Sequence, residues 1–169
     1  MDALLKLNAL PKDQFLAEME RCCGARLWGE RMAAARPIRN REELFKLAER
    51  AWFDLGPDDW KEAFRHHPKI GDKDALRAKF AATRQWAAGE QQGAALASEA
   101  VLDALAAGNQ AYDEKFGHIF IVCATGKSAE EMLSNLNARL GNSAALELRI
   151  AAGEQSKITR LRLEKLLAG

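Results

Sequence analysis

The sequence predicts an all-α fold, a single-domain bundle of about seven or eight helices over residues 1–169 with one short extended, buried segment near 118–124. Three observations carry this expectation. Apolar residues recur at three- and four-residue spacing in one segment after another. Proline, glycine and capping residues bound those segments where helices start and stop. No stretch alternates apolar and polar residues over a useful length, which is the trace a half-buried strand would leave.

Pro11 stands at a plausible first helical position, and Phe15, Met19, Cys22 and Cys23 follow at helical spacing until Gly24. A shorter helical stretch, 27–35, ends at Pro37. Asn40 with Glu43 resembles a capping box, after which Leu44, Leu47, Ala48, Ala51 and Leu55 mark one stripe up to Gly56. Pro57 and Asp58 restart the chain, and Trp60, Phe64 and His67 fall at i, i+4 and i+7. His67 is thereby expected on the inward face of this helix, with His66 turned about 100° away from it. Asp72 suits a helix cap, whereas 73–93 is less regular, with a polar insertion after Trp86.

A long helix is expected over 98–116, with Leu102, Leu105, Asn109, Tyr112 and Phe116 on one face and Gly117 just past its end. Asn109 in that apolar stripe is either a hydrogen-bonded core group or a site residue. The run His118 to Ala124 is too short for its own helix and rich in β-branched residues, so it should be extended and buried. Its backbone groups need partners, and a bound ligand is one way to supply them. Ser128 and Glu131 form a capping box for a helix carrying Met132, Leu133, Leu136 and Leu140. A last helix, 144–167, has Leu146, Ile150, Ile158, Leu161 and Leu163 among its apolar positions.

A chain of 169 residues can bury roughly 70% of its unfolded surface and needs neither metal nor disulfide to fold. Lysine and arginine number 25 against 24 acidic residues, so no net field favours nucleic acid or an anionic membrane. Cys22, Cys23 and Cys123 lack the spacing of a disulfide framework or zinc site and read as reduced, mostly buried thiols. The first residues lack the features of a signal peptide and no apolar run is long enough to cross a bilayer, so a cytoplasmic location is the expectation. Gly126-Lys127-Ser128 resembles the tail of a phosphate loop, but Ile121 stands where that motif needs its first glycine. It reads as a capping sequence. Nothing in the chain calls for a cofactor or a metal.

The strongest candidate for chemistry is His67, placed where Pro68 interrupts a helical pattern and Gly71 follows. The bland reading is a helix-end histidine packed on its neighbours. By composition alone Glu90 reads as a solvated helix-start glutamate and Arg162 as a surface arginine, although Arg162 lies one turn beyond Ile158, at the edge of the expected stripe.

Four motifs in register change that weighing. They are His67-Pro68-x-Ile70-Gly71; Glu90-Gln91-x-Gly93; Asn109-x-x-Tyr112-x-x-Lys115-Phe116-Gly117 leading, two residues on, into Phe120 to Ala124; and Lys157-Ile158-x-x-Leu161-Arg162-Leu163. Together they resemble the 2-oxo-4-hydroxy-4-carboxy-5-ureidoimidazoline (OHCU) decarboxylase family of urate catabolism. Asn8-Ala9-Leu10 followed by Phe15, and Arg36-Pro37, extend the resemblance to nearly the whole chain.

That resemblance implies a cofactor-independent carboxy-lyase, an all-α homodimer that converts OHCU to (S)-allantoin. It implies His67 as general acid or base, Glu90 as its acidic partner and Arg162 as the clamp on the substrate. Pro68, Ala87 and Gln91 would line the pocket, and the backbone of Phe120, Ile121, Val122, Cys123 and Ala124 would bond the planar edges of the substrate. It also points to 5-hydroxyisourate hydrolase as a functional neighbour. The chain departs from the family pattern at Ala87, where many members have serine, and at His118-Ile119, which replace a more usual Phe-Pro. For His66 and His118 a structural role is expected. Two other readings compete: a decarboxylase of another small ureido acid on the same fold, and a non-catalytic helical interaction module.

Overall fold

The structure is a computed structural model that describes residues 2–67 and 91–169, with the side chains of 91–98 excepted. The described residues contain eight helices and no strand: α1 (Ala3–Ala9), α2 (Lys12–Cys22), α3 (Arg26–Ala34), α4 (Arg41–Phe53), α5 (Pro57–Arg65), α6 (Gln91–Phe116), α7 (Ala129–Leu140) and α8 (Ala144–Ala168). They divide into two compact units, one of residues 1–67 with 148–169 and one of 68–147.

In the first unit the expected starts and stops hold, with local adjustments. Pro11 is the N-cap of α2 rather than its first residue, and Phe15, Met19 and Cys22 are buried along it. The Asn40 side chain accepts from the Glu43 amide at 2.8 Å. The Glu43 carboxylate reaches one residue further back than a capping box requires, to the Arg39 amide at 2.7 Å. The buried stripe of α4 is Leu44, Phe45, Ala48 and Trp52, continued by Leu55, with Leu47 and Ala51 only half-buried. The two aromatics take the inward places because each covers more apolar area than the residues they displace.

Three tryptophans pin these helices by donating their indole N–H groups to buried carbonyls: Trp28 to Ala48 at 3.0 Å, Trp52 to Ala152 at 2.9 Å and Trp60 to Trp52 at 3.0 Å. Each ring thus buries a large apolar surface without stranding its polar atom. The early family-like residues meet here as well. The Arg36 guanidinium bonds the carbonyls of Asn8 and Leu10 and lies 4.3 Å from the centre of the Phe15 ring. The Asn8 amide exchanges two hydrogen bonds of 2.8 Å with the backbone of Ile38. These motif residues build the fold.

In the second unit α6 packs on α7. Its core holds Leu102, Leu105, Tyr112, Ala129, Met132 and Leu136. Helix α6 begins at Gln91, seven residues ahead of the expected start, because the alanine-rich stretch 94–100 carries high helix propensity but little periodicity. It ends as expected at Gly117, whose φ of +75° is the left-handed geometry that favours glycine. Asn109 is half-buried and donates to the Leu105 carbonyl at 2.9 Å.

Helix α8 departs most from its expected pattern. Its buried positions are Glu147, Ala151, Ala152, Gln155, Thr159 and Leu163, whereas Leu146 is 49% exposed and Ile150, Ile158 and Leu161 are half-buried. Polar residues hold half of these buried places, where periodicity looks for leucine. Each of them is bonded, which removes most of the cost of burial.

Candidate active site

Helix α5 ends at Arg65, two residues before the expected face would have reached His67, because a residue preceding proline disfavours helical backbone. The amides of His66 and His67 close the last turn on the carbonyls of Ala63 and Phe64, both at 3.1 Å. His67 is thus set just past a helix end and half-buried, while His66 is exposed. Gly24 lies against His66 so closely that a Cβ there would stand 2.2 Å from the ring's Cγ. The α2–α3 junction therefore approaches the His66-His67 turn through a residue without a side chain.

The His67 ring is held from α8. Its Nε2 lies 2.5 Å from Oε1 of Gln155, a fully buried residue, and the Gln155 amide nitrogen donates to the Thr159 hydroxyl at 3.0 Å. Thr159 in turn bonds the Cys23 thiol. Arg162, three residues beyond Thr159 on α8, is half-buried, and its positive charge acts on both Cys22 and Cys23. Burial raises both thiols to about 11, against which the arginine works in the opposite direction. These cysteines are buried walls that stay protonated at neutral pH, and neither is an activated nucleophile.

His67 and Arg162 consequently border the same Gln155-Thr159 stripe within the first unit. Pro68, Ala87 and Glu90 lie outside the described residues, as does the side chain of Gln91, whose backbone opens α6. A cleft of about 260 Å³ lies elsewhere, between α4 and α8, with Phe45, Trp52, Lys157, Thr159 and Arg160 among its lining. Neither His67 nor Arg162 is among its described lining residues, and Arg160 lies over the Phe45 ring at 4.4 Å.

In the second unit residues 118–124 lack helical or strand structure, with His118, Ile121 and Cys123 inside. Three of their carbonyls find protein donors. Ile121 accepts from Arg139 at 2.6 Å, Cys123 from Lys127 Nζ at 2.8 Å, and Ala124 from the Lys127 amide at 3.0 Å. The His118 Nδ1 lies 3.0 Å from the Ile119 carbonyl, and its ring meets Tyr112 edge-on. Lys127, in the stretch resembling a phosphate loop, serves this segment, and Ser128 caps α7 by accepting from the Glu131 amide at 3.1 Å.

Arg139 and Glu147 belong to none of the sequence motifs described above. Both are buried, and they form an ion pair beside the extended segment. Glu147 also accepts from the Tyr112 hydroxyl at 2.6 Å and from Asn142 at 3.1 Å. Burial, and then the Glu147 bond, hold the Tyr112 phenol far above its ordinary range. The available signal was Glu147, Gln155 and Thr159 recurring at multiples of four, in phase with Ala151 and Leu163. Polar residues in phase with buried ones mark bonded core groups.

The model of the OHCU decarboxylase family matches residues 8–164. The chain belongs to the OHCU decarboxylase family. It is 32% identical over 174 aligned residues to the 2-oxo-4-hydroxy-4-carboxy-5-ureidoimidazoline decarboxylase of Amia calva, covering 96% of this chain and 93% of that one. It is 37% identical over 152 residues to the uric acid degradation bifunctional protein TTL of Arabidopsis thaliana, covering 89% of this chain but only 47% of that longer protein. The fold matches a crystal structure of OHCU decarboxylase in the presence of (S)-allantoin with a TM-score of 0.72 and 35% identity, over 90% of this chain and 98% of that one. An (S)-allantoin synthase structure, at 15% identity and a TM-score of 0.71, shares the fold over 97% of this chain and 54% of its own. Members of the family are carbon–carbon lyases, which sets aside the reading of a non-catalytic interaction module.

Proposed function

We propose that the chain decarboxylates OHCU to (S)-allantoin without a cofactor, in urate catabolism, with His67 exchanging the proton, Glu90 as its acidic partner and Arg162 holding the substrate. The observation that carries this reading is the half-buried His67 ring, bonded to a fully buried amide on the helix that also presents Arg162. The chemistry suits these groups. The carbon that loses CO2 adjoins a C=N bond, so the electron pair released flows into the imine and the substrate supplies its own electron sink. What the protein adds is a guanidinium with a planar fork of donors, an imidazole that can take and return a proton, and surroundings that strengthen both. General acid–base assistance of this kind contributes roughly 10² to 10⁴-fold.

Pro68, Ala87 and Gln91 are assigned to the pocket wall, and the backbone of Phe120 to Ala124 to the ureido and imidazoline edges. The bonds from Arg139 and Lys127 to alternate carbonyls of that segment support the second assignment, because they fix its backbone orientation. The reading takes residues 1–169 as one functional domain and the protein as a cytoplasmic homodimer, working downstream of 5-hydroxyisourate hydrolase. No described helix is long and apolar enough to cross a membrane. The test follows the circular dichroism of allantoin formed from freshly generated OHCU. Wild type should build the S-enantiomer signal rapidly, and His67→Asn should fall to the uncatalysed racemic background while staying folded. A folded wild type that merely tracks the enzyme-free control would overturn the assignment.

A further inference from the structure

We propose that the thiol pair at the end of α2 is a positioning element for Arg162: Cys22 and Cys23 seat its guanidinium against side chains that carry no charge, so that the planar fork stays open for the carboxylate of the substrate. The catalytic consequence rests on the decarboxylase reading, but the open fork is a property of the resting protein.

Contacts within the first unit bring these groups together. The junction between α2 and α3 meets the end of α5, where a Cβ on Gly24 would stand 2.2 Å from the His66 ring. The preceding residue, Cys23, is bonded to Thr159 of α8. Arg162 lies one helical turn beyond Thr159, at the i+3 position of the same side, and its charge acts on both thiols. Cys22 and Cys23 are 3% and 1% exposed, which leaves that charge little screened there.

A half-buried arginine ordinarily recovers its lost hydration from a carboxylate. Among the described residues none lies within ion-pair distance of Arg162. Its basic neighbours in the sequence of α8 are all paired, Lys157 with Glu154 at 2.6 Å and Arg160 with Glu164 at 3.3 Å. Glu18, the carboxylate that also acts on Cys22, is bonded to Arg21 at 3.2 Å. Thiols suit the place that a carboxylate does not fill. Burial keeps both protonated at neutral pH even with Arg162 acting on them, so they neither serve the guanidinium as a counter-ion nor repel it. Sulfur is a weak acceptor and a soft packing surface, which lets the arginine rest there without committing its N–H groups. A carboxylate arriving with the substrate then meets a fork of donors ready for a bidentate pair.

The test compares Cys22→Asp with Cys22→Asn, which share a shape and differ by one charge. Formate, the smallest carboxylate, is titrated at neutral pH while nitrogen-15 NMR follows the Arg162 Nε–H signal, and the same proteins are assayed for OHCU turnover. In wild type formate should shift that signal saturably. Cys22→Asp should fill the fork from within, weakening formate binding and raising KM about ten-fold relative to Cys22→Asn with little change in kcat, the signature of lost ground-state binding. Equal formate affinities in the two folded variants would overturn the proposal, since a purely structural thiol pair responds to shape and not to charge. If neither variant folds, wild type decides by itself, because rotation about the Arg162 Nε–Cζ bond is fast when the fork is unpaired. Fast rotation that formate slows upholds the proposal; slow rotation without formate, or a signal that formate leaves unmoved, overturns it. A wild type that binds formate at Arg162 and shows no turnover would instead remove the decarboxylase reading while leaving the open fork in place.

Discussion

Replacing Arg139 by methionine should cost this protein most of its stability. Glu147, with no exposed surface, would keep the Tyr112 hydroxyl and Asn142 as partners but lose its counter-charge. Removing one member of a buried ion pair typically costs about 3–5 kcal/mol. The Ile121 carbonyl, bonded by Arg139 at 2.6 Å, would lose its donor as well, adding about 1–3 kcal/mol. The guanidinium also lies 4.5 Å from the centre of the Phe120 ring, a contact that methionine replaces in part. The sum, roughly 4–8 kcal/mol, compares with total stabilities of about 5–15 kcal/mol. Chemical denaturation of wild type, Arg139→Met and Arg139→Met/Glu147→Gln measures it. The double variant removes the stranded charge and should recover about half of the loss. An Arg139→Met protein within about 1 kcal/mol of wild type, or a double variant no better than the single, would refute the account of the pair as a charge that must be matched. Because Arg139 sets the orientation of the extended segment, the surviving folded fraction should also show a raised KM.

Three further outcomes follow from named contacts. Burial, opposed in part by Arg162, lifts the Cys22 thiol from 9.0 to about 11, and burial lifts Cys23 equally, so the folded protein keeps protons that the unfolded chain releases. Their contribution is whole below pH 9 and is lost as pH rises towards 11, at about 1 kcal/mol per pH unit for each thiol near pH 10; denaturation midpoints of wild type should fall over that range, and those of Cys22→Ala/Cys23→Ala should fall less steeply. Gly24→Ala would place a Cβ 2.2 Å from the His66 ring. Exposed His66 can swing aside, so stability should drop by only about 1–2 kcal/mol, but the adjoining His67 moves with it and kcat should drop about ten-fold. Gly108→Ala gains about 1 kcal/mol of helix propensity but puts a Cβ 2.5 Å from Cδ2 of buried Leu136; overpacking of about 1–3 kcal/mol makes it neutral to destabilising, and a thermal melt showing clear stabilisation would contradict that.

What was legible in the sequence was whatever depends on local chemistry. Asn40, Ser128 and Gly117 mark helix ends by the bonds and dihedral angles their types allow, and the structure places them there. Phe15, Met19, Leu102, Leu105 and Tyr112 are buried because they recur at helical spacing. The start of α6 was not legible, since alanine promotes helix without declaring a face. The inward face of α8 was misread because the pattern sought leucine, and the stripe is built on Glu147, Gln155 and Thr159. For the candidate site, the proline after His67 marks a helix end in the sequence, but the tether of His67 to Gln155, 88 residues away, is a tertiary contact that no local pattern encodes. Nor does any local pattern show what the Arg36 motif does, because its partners Asn8, Leu10 and Phe15 come from the other end of the first unit's early helices.

The polar inner face of α8 bears on why this helix carries so much of the candidate site. A helix that buries leucine on its inner face is held by an undirected force and tolerates small rotations. One that buries Glu147, Gln155 and Thr159 is fixed by bonds that fail when the helix turns by a few degrees or slides by a fraction of a turn. Decarboxylation with its electron sink in the substrate leaves the protein little covalent work, so catalysis has to come from the placement of the protein's groups. Gln155 ties the helix's middle to His67. Arg162 then follows at a fixed phase, two helical turns beyond Gln155. The polar stripe thus gives up some hydrophobic stabilisation and gains the angular definition that an undirected core could not supply.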